Sequence, residues 1–69
     1  MSVDELGNLA YLVRCEQRRV EFALSSLKTA SEDEVTEMLR RATRHARRLK
    51  GATEELIAAI DQVADATLT

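Results

Sequence analysis

Leu27-Lys28-Thr29-Ala30-Ser31-Glu32-Asp33-Glu34-Val35 holds the reversal on which this chain turns. Within it, Ser31-Glu32-Asp33-Glu34 reads Ser-x-x-Glu. In such a capping box the serine hydroxyl accepts from the amide three residues on, and the glutamate reaches back to the serine amide. The same pattern opens the chain as Ser2-Val3-Asp4-Glu5. Acidic residues in both first turns suit the positive end of a helix dipole. Two helix starts with a short gap before the second predict a helix over about 3–28, a turn over about 29–31 and a helix over about 32–66.

Apolar spacing outside the reversal agrees. Leu6, Val13, Val20 and Leu27 recur every seven residues, as do Val35, Ala42, Leu49, Leu56 and Val63. Most residues three or four further on are also apolar, among them Leu9, Ala23, Met38, Ala52 and Ala59. A repeat sustained this long is a coiled-coil seam. In an antiparallel hairpin, facing residues have a constant sum of numbers. The pairs 27 with 35, 20 with 42, 13 with 49 and 6 with 56 all sum to 62, and each is apolar. The expected fold class is therefore all-α, an antiparallel two-helix coiled-coil hairpin, completed to a bundle by self-association or a partner.

Composition excludes the main alternatives. The 69 residues form a single helical-hairpin domain, with ten alanines, nine leucines, two glycines and no proline. Aromatic residues make up 3%, too few for the usual β-sheet. One cysteine, Cys15, rules out an internal disulfide, and with the single histidine, His45, it cannot close a four-ligand zinc site. No cofactor, metal or small-molecule substrate is expected. No apolar run approaches a membrane span and no secretory signal is apparent, so a cytoplasmic location is expected and no membrane contact.

Two positions interrupt the pattern. Glu16 and Gln17 fall opposite His45 and Ala46 under the sum rule. A Glu–His pair could do acid–base chemistry, but nothing beside it resembles a nucleophile or an oxyanion site, so the layer reads as a register-setting polar layer and the chain as no enzyme. Gly51 could split the second helix with Thr53 as a new cap. The seven-residue repeat passes through it without a phase change, which favours a continuous helix.

The apolar surface exceeds what one seam uses. Leu12, Cys15 and Phe22 lie beside the seam of the first helix. The second helix, roughly 50 Å against roughly 40 Å, overhangs the first, with Ile57, Ile60 and Val63 at that end. Either Met1 and Val3 fold over the overhang, or these residues form a docking surface for a protein partner or a second copy. The adopted reading is the docking surface, with Leu12, Cys15, Phe22, Ile57, Ile60 and Val63 as partner-binding residues.

Charge is segregated despite a net value of −2. Arg14, Arg18, Arg40, Arg44, Arg47 and Arg48 contribute to a basic waist between acidic ends. In length and hairpin plan the chain resembles the plasmid copy-number protein Rop, whose dimers bind RNA on a helix face. That resemblance implies the alternative of a dimeric RNA- or DNA-binding regulator using the six arginines. The other reading is a solvated face with salt bridges, Glu37 to Arg41 and Arg44 to Glu16 or Glu21.

A second resemblance is local. Val20-Glu21-Phe22-Ala23-Leu24-Ser25-Ser26-Leu27-Lys28 resembles the corresponding helix of the small E-type cochaperones of type III secretion systems, the YscE, PscE and AscE group. The resemblance implies a cytoplasmic cochaperone or adaptor. Such a protein binds a helical-repeat chaperone and helps hold the needle subunit unpolymerised, with Leu12, Cys15 and Phe22 as the docking face.

Overall fold

The computed structural model describes residues 2–68. Helix α1 spans Val3–Ser26, a single 3-10 turn follows at Leu27–Thr29, and helix α2 spans Glu32–Leu68. The molecule is an all-α helical hairpin, and among the described residues there is no strand. Its Cα atoms extend over 56 × 15 × 12 Å. Thirty-seven residues of α2 at a rise of 1.5 Å account for about 55 Å, so α2 alone sets the long dimension.

The caps explain the element bounds. Ser2 is extended, its hydroxyl accepts from the Glu5 amide at 3.3 Å, and its own amide donates to Glu5 Oε2 at 3.3 Å. Both halves of the first capping box are therefore present. At the second, the Ser31 carbonyl accepts from the amides of Glu34 and Val35 at 3.0 and 3.1 Å, starting α2. Helix α1 ends without glycine. The Ser26 hydroxyl donates to the Phe22 carbonyl at 3.0 Å and the Thr29 hydroxyl to the Ser26 carbonyl at 3.5 Å, relieving carbonyls that have lost their helical partners. The chain then leaves helical torsion angles at Ala30, with φ −77° and ψ 144°.

Gly51 does not break α2. Thr53, instead of capping a third segment, turns its hydroxyl back to the Leu49 carbonyl at 2.8 Å inside the continuous helix.

The seam runs as the spacing predicts. Lettering the repeat a to g with Leu6 and Val35 at a, positions 6, 9, 13, 16, 20, 23 and 27 are half-buried in α1. Their counterparts at a and d in α2, from Val35 to Val63, are half-buried or buried. Two helices cannot enclose a large side chain. Among the described residues only Ala42 and Ala59 are fully buried, at 7% and 2% exposure.

Two flanks border the seam, and they differ in kind. On one, the g positions carry Glu5, Leu12, Arg19 and Ser26 from α1, with Arg41, Arg48, Glu55 and Gln62 from α2. On the other, the e positions carry Val3, Ala10, Gln17 and Leu24 from α1. Facing them along α2 at e are Leu39, Ala46, Thr53 and Ile60. The first flank is charged, and the second holds no charge over these eight positions. Val3 is 74% exposed and does not cover the α2 overhang, while Met1 lies outside the described residues.

Candidate functional site: the Phe22 groove and the arginine face

The charged flank contains a groove of about 390 Å³ lined by Arg18, Arg19, Phe22 and Ala23 of α1, with Met38, Arg41 and His45 of α2. It exists because residues at d, Ala23 on one side and His45 and Met38 on the other, are too narrow or too polar to fill the space beside the seam. Phe22, at c, stands at the rim with 76% of its surface exposed. An aromatic side chain left that open is a large unused apolar area, and covering it fully would contribute roughly 1.5–3 kcal/mol.

The rim is cationic. Arg19 Nη1 lies 2.8 Å from Glu16 Oε1, and Arg41 Nε lies 3.4 Å from Glu37 Oε1. Arg18 makes no ion pair among the described residues. The Arg41–Glu37 pair is solvent-screened and weak, so Arg41 remains able to exchange partners, whereas the Glu16 carboxylate holding Arg19 is only 15% exposed.

Behind the groove lies the polar layer, with Glu16 set against His45 as expected. Glu16 Oε2 faces His45 Nδ1 at 3.4 Å, with the side chains only 15% and 24% exposed. Both atoms are shut off from solvent and neither makes a hydrogen bond, so the contact is a close polar approach that satisfies neither atom. Gln17, expected to face His45, points outward and donates to Glu21 Oε1 at 3.5 Å. Ala46 is exposed as well. The physical reason is that Gln17 and Ala46 fall at e, one step outside the d positions of Glu16 and His45, and e lies at the edge of the seam. The expected pairing of Arg44 with Glu16 or Glu21 is also corrected: Glu16 is taken by Arg19 and His45, and Glu21 accepts from Gln17. Glu37 to Arg41 is present, and Glu37 additionally binds Arg40 Nη1 at 2.7 Å.

The expected partner-binding residues divide between the flanks. Leu12 at g and Cys15 and Phe22 at c lie on the charged flank. Leu12 is exposed and Cys15 is a half-buried free thiol. Ile57 at b and Ile60 at e lie on the uncharged flank and are both exposed, while Val63 at a continues the seam. The six were expected at two places, beside the seam of α1 and at the overhang of α2, and the repeat letters set these two places on different flanks. They also place Arg41, Met38 and His45 beside Phe22.

The arginines of α2 form a separate surface. Arg40, Arg44, Arg47 and Arg48 gather around Thr43 on its solvent side. Arg14, Arg44, Arg47 and Arg48 make no ion pair among the described residues. No cluster of three potential metal-binding side chains occurs among the described residues, and no described helix is long and apolar enough to cross a membrane.

Searches of known protein families, of curated proteins and of solved structures find no match to this chain.

Proposed function

We propose that this chain is a non-catalytic interaction protein whose Phe22 groove docks a helical protein partner bearing acidic residues beside an apolar one. The observation that carries this reading is Phe22 itself, 76% exposed at the rim of a groove whose other edge holds Arg18, Arg19 and Arg41. An apolar anchor with cationic neighbours matches an amphipathic helix that offers a leucine-type side chain flanked by Asp or Glu. The nine residues at Val20–Lys28 add a specific form of the reading, a type III secretion cochaperone acting in the cytoplasm on a helical-repeat chaperone. Phe22 lies within that stretch.

The test is retention of partner from the native host by wild-type chain and by Phe22→Asp. Loss of at least tenfold in affinity for the retained helical protein is expected, since the apolar anchor alone is worth 1.5 kcal/mol or more. Equal retention of the same proteins by both chains rejects the groove.

A second reading is supported by the unpaired cations of the α2 face. Arg44, Arg47 and Arg48, without carboxylate partners, could neutralise successive phosphates of RNA or DNA. Such binding falls steeply with salt, because phosphate contacts release counterions. Absence of a mobility shift at low salt would remove it.

A further inference from the structure

We propose that the uncharged flank is a homodimer surface: a second copy of this chain packs on it, related by a two-fold axis crossing the hairpin near its middle, to give an antiparallel four-helix bundle. The proposal is independent of the Phe22 groove, which opens on the opposite flank.

Three observations converge. The first is chemical. Apolar residues at a and d suffice for a two-stranded seam, whereas apolar residues at a, d and e mark a helix that faces a bundle core. Here Leu24, Leu39 and Ile60 at e are apolar, large and about half exposed, at 49%, 48% and 48%. Of the polar residues on the flank, Thr53 gives its hydroxyl to the Leu49 carbonyl and Gln17 its amide to Glu21, and the one charge at e, Glu32, stands at the very start of α2. The g flank, by contrast, carries charge of both signs on both helices.

The second observation is the order of residues. Leu24 and Leu39 lie at the turn end and Val3 and Ile60 at the open end, with Ala10, Gln17, Ala46 and Thr53 between them. A crosswise two-fold axis sets the leucine end of one copy on the Val3–Ile60 end of the other. An isologous contact of this kind closes on itself and leaves no free edge for polymerisation.

Area is the third. Helix α1 is about 36 Å long, and two helices side by side are about 20 Å across, so the flank offers roughly 700 Å² per copy. Stable interfaces bury about 800 Å² per partner.

Sedimentation equilibrium on the full chain tests the proposal. Wild type is expected at twice 7.7 kDa, Leu39→Asp at the monomer mass, and Phe22→Asp at the dimer mass. A monomeric wild type at millimolar concentration overturns the proposal, and so does a dimer that survives Leu39→Asp. If Leu39→Asp loses its far-ultraviolet helical signal, the decision passes to wild-type geometry, read by spin labels at Thr29→Cys in a Cys15→Ser background. The crosswise dimer holds the two labels at opposite ends, separated by most of the hairpin length. A short label–label distance, or no measurable pair, overturns it.

Discussion

At the scale of single residues, the Glu16–His45 layer is the place where the chain departs from an apolar seam. Both side chains occupy d positions that elsewhere hold Leu9, Ala23, Met38, Ala52 and Ala59. Their facing atoms are desolvated without a hydrogen bond, and such a pair seldom recovers the energy lost on leaving water. Replacing both at once, Glu16→Leu with His45→Leu, is expected to raise stability by on the order of 1 kcal/mol, seen as a higher urea midpoint. His45→Leu alone should gain less, since it leaves Glu16 with only Arg19. A double variant less stable than wild type would show that the pair contributes net stability. This layer also marks what could and could not be read in advance. That Glu16 and His45 belong to one layer follows from spacing, because both fall on the seven-residue repeat. That Gln17 stays outside did not follow from a single sum, because facing in a coiled coil alternates between two lines and the partner of each residue depends on which line it joins.

At the scale of elements, α2 is one helix of 37 residues through Gly51. A Cβ built on Gly51 meets nothing within 4 Å. Gly51→Ala is therefore expected to stabilise the fold by about 1 kcal/mol, from helix propensity alone, with no change in assembly. Chemical denaturation measures the gain, and a loss would mean that the backbone there is used in a bent form. The first helix start was readable from Ser2, whose capping box is local chemistry, while α2 opens at Ser31 on backbone bonds to its carbonyl rather than on the capping box its sequence offers. The end of α1 came two residues earlier than 28, in a 3-10 turn, since Ser26 and Thr29 hydroxyls supply what a terminal glycine usually does. The excess of apolar surface on α1 was also readable. Leu12, Cys15 and Phe22 were kept apart from the α2 overhang, but the charged character of their flank was not read, because it comes from Arg19 and Arg41 at g, on both sides of the seam.

For the whole molecule, size governs. A chain of 69 residues with two buried alanines and no enclosed large side chain draws only a few kcal/mol from its own core. With a second copy packed as proposed, stability and assembly are one equilibrium. The thermal midpoint of wild type is expected to rise with protein concentration, as it does whenever the folded form is held by association, and that of Leu39→Asp to be independent of it. Concentration-independent unfolding of wild type would mean that the hairpin stands alone. The hairpin plan was legible from two repeats and one short gap. What meets its outer faces was not, because a partner leaves no spacing of its own in this chain.

The tight reversal at Ala30 has a consequence for the time course of folding. The loop it closes is only a few residues long, so the Leu27–Val35 layer forms at the smallest entropic expense, and each later layer extends a ladder already begun. Contacts near the turn are local in sequence and those joining Leu6 to Leu56 are the most distant, which orders assembly from the turn towards the open end. The Glu16–His45 layer sits midway along that path. A chain closing one register too early or too late would meet it with a charge against an apolar side chain, before the remaining half of the seam had zipped.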